Sequence, residues 1–210
     1  MLSVQCSMFS VQCSMFSVCT LLQDADISLL RLIHHGRIEA LDRVMYVLSY
    51  SASFVSIGIV LSLLVVFLMT RSKAWLLIFY KMLAVLVIAA LVSTAMKSLI
   101  LRERPFVTYP DIEKLSQAGN SSFPSGHSLE AFAMAMALSL VLKKKRYVIP
   151  VFCWAVLVAY SRITLGVHYP GDVAGGIITG TLIGWLIPLV IQSIINKRNR
   201  KLNKMTQKEE

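Results

Sequence analysis

With 210 residues, 56% of them hydrophobic, and a mean hydropathy of +0.68, the chain carries more apolar side chain than a soluble domain of its length needs to fill one core. That excess excludes an ordinary water-soluble globule and points to a membrane protein. The net charge of +10 raises nucleic acid as a partner, a reading that depends on where the basic residues lie.

The amino end, Met1 to Gln23, is uncharged and holds the tandem repeat SVQCSMFSVQCSMFSVC. Units of seven residues are too short for a solenoid. Cys6, Cys13 and Cys19 belong to the repeat and Cys153 to a later apolar run, without CxxC or metal spacing, so no disulfide framework is expected. The segment is a weak candidate for a sixth span, and it lacks the basic n-region and cleavage site of a signal peptide. From Ile27 to Leu48, apolar residues recur at helical spacing among Arg31, Arg37, Asp42 and Arg43, the pattern of a helix lying in the membrane interface. His34 and His35 point about 100° apart on such a helix, which suits solvated histidines better than a ligand pair.

Five apolar stretches then read as membrane spans: Val44 to Thr70, Ala74 to Met96, Ser128 to Leu142, Tyr147 to Ser161 and Val173 to Asn196. In that topology Arg71 to Lys73, Lys143 to Arg146 and the tail from Lys197 share one side. With Lys81, that side holds 13 of the 21 Lys and Arg residues. The other side balances 8 Lys and Arg against 9 Asp and Glu. By the positive-inside rule the basic side is cytoplasmic, which accounts for the charge and removes nucleic acid as a partner. The expected fold class is all-α, a multi-pass transmembrane helical bundle of five spans with an amphipathic interfacial helix near the amino end. The expected organisation is a repeat segment (1–23), a membrane domain (24–196) and a basic cytoplasmic tail (197–210).

Three polar clusters fall at the outward ends of the spans. In KSLILRERP, Lys97 and Arg104 share a helix face about 10 Å apart if the helix continues past Met96, and Pro105 turns the chain away. In PSGH, Pro124, Ser125, Gly126 and His127 open a helix whose first N–H groups, Ser125 to Ser128, are unpaired and ready for an anion. In SRITLGVHYPGD, Pro170 and Gly171 bring Asp172 back towards His168, fixing its tautomer and favouring the cation, while Asp172 also caps the last span. Each cluster alone equally fits a plain role: snorkelling basic residues, a helix cap, or an Arg162–Asp172 salt link. Jointly they place Lys97, Arg104 and Arg162 with two histidines and one carboxylate at one depth. Such a set repels a divalent cation, so no metal is expected, and its excess of positive donors calls for a phosphate-like anion.

KxxxxxxRP at Lys97 to Pro105, PSGH at Pro124 to His127, and SRxxxxxHxxxD at Ser161 to Asp172 resemble, in order, the three signature motifs of the type 2 phosphatidic acid phosphatase superfamily. That superfamily includes bacterial undecaprenyl-diphosphate phosphatases, lipid A phosphatases, phosphatidylglycerophosphatases, glucose-6-phosphatase and the soluble vanadium haloperoxidases. The resemblance covers roughly Asp24 to Asn196 and implies a helical bundle with its site at the membrane surface. It further implies that His168 attacks phosphorus to form a phosphohistidine while Asp172 orients it. His127 then protonates the leaving oxygen and activates water, and Lys97, Arg104, Arg162, the Ser125 hydroxyl and the Gly126 N–H hold the phosphate oxygens. No cofactor is implied; the partners are a lipid phosphate and the bilayer, without an obligate protein partner. The setting implied is a bacterial cytoplasmic membrane, with the site towards the periplasm or exterior and the carboxy terminus cytoplasmic.

A haloperoxidase-like enzyme using vanadate is disfavoured by the five spans, and a transporter by the gathering of polar groups at one membrane face. Phe106 to Ser122 adds Tyr109, Asp111, Glu113 and Lys114 near the site, as lid or recognition loop. The amino-terminal repeat is also what a duplication around an ambiguous start leaves behind, with Met8 or Met15 as the native first residue. Mass spectrometry of the native amino terminus tests this, and a peptide containing Val4 and Gln5 refutes it.

Overall fold

The computed structural model describes residues 23–142 and 144–209, so the readings on Met1 to Leu22, including the repeat, the sixth span and three of the cysteines, lie outside the described residues. Every regular element described is helical. Helix α1 covers 23–35, and after a single 3-10 turn at Glu39–Leu41 follow α2 (Asp42–Thr70), α3 (Lys73–Ile100), the one-turn α4 (Pro105–Thr108), α5 (Gly126–Leu142), α6 (Lys145–Thr164) and α7 (Pro170–Glu209).

The breaks follow from local chemistry. Arg71 and Leu101 take left-handed backbone at φ 53° and 48°, which ends α2 and α3 while each N–H closes on the carbonyl four residues back. Pro105 occupies the first turn of α4 and Pro170 that of α7, where a missing N–H costs nothing. The reading of Ile27 to Leu48 as one helix is corrected: α1 stops at Gly36, where a Cβ would sit 2.8 Å from the Leu32 carbonyl oxygen, and the chain restarts at the 3-10 turn.

Among the described residues, four helices are long and apolar enough to cross a membrane: Glu39–Thr70, Lys73–Thr108, Lys145–Thr164 and Pro170–Gln207. Their outer faces expose Phe54, Leu91, Leu99 and Ile178, the surface that hydrocarbon covers in a bilayer. The tail expected at 197–210 continues α7 as helix through Glu209.

The third expected span differs in kind. At 17 residues α5 is about 25 Å long, short of the ~30 Å hydrocarbon core, and α2, α3, α6 and α7 surround it. Its Ala131, Ala133, Ala135 and Ala137 are all fully buried. The contact with α7 is a backbone approach made by glycines one turn apart, Gly176, Gly180 and Gly184. A Cβ on Gly180 would lie 2.2 Å from the Leu129 carbonyl oxygen, and one on Gly184 2.2 Å from that of Ala133. Small residues at this spacing let two membrane helices touch along their backbones.

Gly180→Ala therefore forces α5 and α7 apart and is expected to destabilise the protein by about 1–3 kcal/mol, the usual penalty of overpacking. Gly58→Ala on α2, where a Cβ meets nothing within 4 Å, is the unstrained control, expected to leave stability unchanged or raise it slightly. Equal melting temperatures for the two variants in detergent would contradict the close approach.

Candidate active site

The three polar clusters meet at the α7 amino end, tied pairwise. Arg104 Nη1 lies 2.7 Å from the Val167 carbonyl oxygen and 3.2 Å from His168 Nε2, joining the first cluster to the third. The Ser125 N–H donates to the Asp172 carbonyl at 3.0 Å, joining the second to the third. Gly126 sits against the first cluster so closely that a Cβ would be 3.4 Å from Lys97 Nζ.

Two expectations change here. Lys97 and Arg104 do not share a helix face, because α3 ends at Ile100 and Arg104 stands in extended backbone (φ −83°, ψ 152°) ahead of Pro105. The turn of the chain, and not helical period, brings Arg104 to His168. Nor is the Ser125 N–H free, since it serves Asp172. The first hydrogen bond of α5 runs from Leu129 N–H to Ser125 carbonyl, so the N–H groups of Gly126, His127 and Ser128 are the ones without an intrahelical acceptor. The Ser125 hydroxyl is buried 2.8 Å from that of Ser128.

Asp172 is completely buried in the first turn of α7. Its Oδ2 accepts the Tyr169 N–H at 3.0 Å, the back-reaching half of a capping box, and also the Ser122 hydroxyl. Its Oδ1 accepts from Arg102 Nη1 at 2.6 Å. The Arg162–Asp172 salt link is not formed: Arg162, 2% exposed, donates to Ser49 of α2, and its Nε has no hydrogen-bond partner. His168 Nδ1 faces Asp172 Oδ2 at 3.6 Å, an ionic distance that also leaves Nδ1 without a hydrogen bond.

His168 lies in the connection between α6 and α7, outside the spanning helices, and is 1% exposed. Burial, helped by the charges of Arg162 and Arg104, pushes its imidazole down to about 3 against the pull of Asp172. The expectation that Asp172 keeps the ring cationic is thus corrected. With Nδ1 turned to a carboxylate, the neutral ring carries its proton there and its lone pair on Nε2, towards Arg104.

His127 is half-buried and stands edge-on to Tyr50 at 6.3 Å between ring centres. With Lys97, Gly126, Ser93 and Glu130 it lines a cleft of about 240 Å³ between α3 and α5, floored by Leu86 and Ala89. Among the described residues no cluster of three or more His, Cys, Asp or Glu is placed to hold a metal ion.

Sequence reasoning missed Arg102, Asp26, Ser122 and Ser49. The first three hold Asp172 and its helix end, and Ser49 holds Arg162; Arg102 alone carried a signal, two positions before Arg104. It also placed Asp111 and Glu113 near the site, whereas they strap the 109–122 loop to Arg31 on α1 (2.8 Å) and to Arg37 in the turn that follows it (2.8 Å). His34 is not solvated but buried, with Nδ1 2.8 Å from the Thr164 carbonyl and Nε2 accepting the Glu113 N–H at 3.2 Å. Burial lowers its proton affinity, in keeping with an accepting Nε2.

The chain matches the PAP2 superfamily over residues 73–195. It is 36% identical to the bacitracin transport permease protein BcrC of Bacillus licheniformis over 155 residues, 70% of this chain and 72% of that one. It is 32% identical to an undecaprenyl-diphosphatase of Sulfolobus acidocaldarius over 163 residues, 77% and 76% of the two chains. The fold overlays the crystal structure of a transmembrane PAP2-type phosphatidylglycerolphosphate phosphatase from Bacillus subtilis with a TM-score of 0.69 at 28% identity, covering 84% of this chain and 87% of that one. Fold and site together define a membrane-embedded lipid phosphatase. The chain belongs to the PAP2 superfamily.

A histidine held neutral inside the fold but titrating near 6.5 when unfolded makes unfolding take up a proton between those two values. Its contribution is complete above about pH 6.5 and is lost as pH falls towards 3, by about 2 kcal/mol at pH 5. Melting curves at pH 7 and pH 5 should show a larger drop for wild type than for His168→Gln; equal drops would refute a buried neutral imidazole.

Proposed function

We propose that the chain hydrolyses a lipid-linked phosphate or diphosphate at the outer face of a bacterial cytoplasmic membrane, through a phosphohistidine on His168. The observation that carries this reading is the buried contact of Arg104 with His168 Nε2 at 3.2 Å, near enough to the buried Arg162 for its charge to act on the ring. A neutral imidazole nitrogen is aimed at a point that buried cations surround, which is where a phosphorus atom with charged oxygens is best placed.

In the first step Nε2 of His168 forms a bond to phosphorus as the bond to the leaving oxygen breaks, and His127 gives that oxygen a proton. The Asp172 carboxylate, 3.6 Å from Nδ1, offsets the positive charge that develops and stays on the His168 ring. In the second step His127 removes a proton from water, whose oxygen attacks phosphorus and releases the nitrogen. Lys97, Arg104 and Arg162 hold the equatorial oxygens together with the N–H of Gly126 and the Ser125 hydroxyl, and these fixed charges supply what a metal would otherwise supply. Arg162 Nε, buried without a partner, is a donor suited to one of those oxygens.

The lipid class is supported by the cleft between α3 and α5, polar around Lys97 and His127 and apolar at Leu86 and Ala89. Undecaprenyl diphosphate, lipid A phosphate, phosphatidylglycerophosphate and phosphatidic acid all present this combination. The proposed domain runs over 24–196, with the basic end from Lys197 in the cytoplasm, where the excess of Lys and Arg belongs.

His168→Ala is expected to lower phosphate release from lipid phosphates by at least about 10³-fold, as loss of an attacking group does elsewhere, while the protein still inserts. Wild type should trap an acid-labile, alkali-stable phosphoryl label that the variant lacks, and EDTA should leave turnover unchanged. An active His168→Ala would refute the assignment; a panel of lipid phosphates assayed on the purified protein identifies the substrate.

A further inference from the structure

Behind Asp172 lies a group of residues that the phosphate chemistry does not use. Arg102, in the connection between α3 and α4, donates from Nη1 to Asp172 Oδ1 at 2.6 Å and from Nη2 to Asp26 Oδ2 at 2.6 Å. The other oxygen of Asp26, on α1, accepts the Gly171 N–H at 2.7 Å. The flat face of the Arg102 guanidinium lies 4.0 Å over the ring of Tyr169, the residue next to His168. Resting on the phosphohistidine reading above, we infer that Arg102 and Asp26 are positioning residues of the reaction, setting the orientation of the Asp172 carboxylate that steadies His168.

The argument is one of bond directions. Asp172 Oδ2 faces His168 and receives Ser122 and the Tyr169 N–H, whereas Oδ1 receives Arg102. With Oδ1 tied to Arg102, the carboxylate cannot rotate, and Oδ2 stays turned to the imidazole. Released from it, a buried carboxylate close to Lys97 and Arg104 is drawn towards them and away from His168. Asp26 fixes the second edge of the same guanidinium, so the restraint reaches from α1 to the nucleophile. Lysine cannot replace the arginine: two N–H edges on two carboxylates and a flat face on an aromatic ring are guanidinium geometry. Arg102 differs from Arg104 in this respect, since its charge is spent on carboxylates and not on the nucleophile's nitrogen. Gly171 belongs to the same arrangement, because a Cβ there would lie 2.9 Å from Asp26 Oδ2.

The decisive variant is Asp26→Asn in the full chain, which keeps an oxygen for the Gly171 N–H but removes the charge that holds Arg102. It is expected to lower kcat about tenfold with KM within about twofold, in the range of coupling within one hydrogen-bonded network. Arg102→Ala should lose about 100-fold in kcat, Arg102→Lys should not recover it, and low-millimolar guanidinium should restore part of the loss in Arg102→Ala but none in His168→Ala. A merely structural ion pair predicts instead a lowered melting temperature with wild-type kcat in the folded fraction, and that result overturns the inference. If Arg102→Ala does not fold, Asp26→Asn and Arg102→Lys decide alone, and wild-type kcat in both is the refuting outcome. Wild-type kcat in these variants beside an inactive His168→Ala sinks this inference and leaves the phosphohistidine standing; an active His168→Ala removes both.

Discussion

The site is organised around a single buried anion. A carboxylate with no solvent exposure inside a membrane protein costs several kcal/mol unless charge and hydrogen bonds compensate it. Asp172 receives that compensation from Arg102, the Ser122 hydroxyl, the Tyr169 N–H and the positive end of α7. Each donor comes from a different stretch of chain, so satisfying one anion fixes the connection after α3, the strand of chain before α5 and the loop into α7. Its own carbonyl then takes the Ser125 N–H, which sets where α5 begins. His127 lies two residues into that helix, and the register of the two histidines follows from the same carboxylate.

The close contact of α5 with α7 makes this arrangement rigid. Helices separated by ordinary side chains are 8–10 Å apart and slide at little expense. Where Gly180 and Gly184 bring one backbone against the carbonyls of the other, no side chain remains to absorb a shift. Catalytic geometry needs placement to within about 0.5 Å, and an α5 shorter than the bilayer, packed on every side, provides it. Around this scaffold the cations are arranged against their own interest: Arg104, Arg162 and Lys97 repel one another with Asp172 as the carboxylate among them. In the proposed reaction a phosphate carrying two negative charges would relieve that repulsion, so binding energy and site electrostatics would act in the same direction.

The residues given to phosphate in the proposed reaction were legible through three motifs in order and the family they resemble; the spans were legible as apolar runs with almost no charge. What the sequence hid was partnership. Arg102 reads as a spacer within KxxxxxxRP, since one-dimensional spacing does not say that a guanidinium two residues before Arg104 points the opposite way. Asp26 sits 146 positions before Asp172, and only the packing of α1 against the Arg102 and Gly171 segments brings it there. His34 was misplaced for a related reason: helical period describes the helix alone, and its burial comes from the 109–122 loop and the end of α6 closing over it at Gly166, whose φ of 68° and contact with the Glu113 carbonyl leave no room for a side chain. The Gly176, Gly180 and Gly184 series is a small-residue stripe that the reading of Val173 to Asn196 as an uncharged span passed over.

Arg104 ties these strands together. Its Nη1 serves the Val167 carbonyl at 2.7 Å and the lone pair of His168 at 3.2 Å. A donor resting on Nε2 both steadies the neutral ring and blocks the nitrogen from attack. In the proposed reaction an arriving phosphate oxygen is an anionic acceptor, and a guanidinium bonds an anionic oxygen more strongly than the uncharged imidazole nitrogen it rests on. In that reaction the guanidinium would turn from nitrogen to oxygen as the phosphate settles, freeing the lone pair when phosphorus is in front of it. The substrate's own charge would thus uncover the nitrogen, and a neutral lipid or water would have nothing with which to do so.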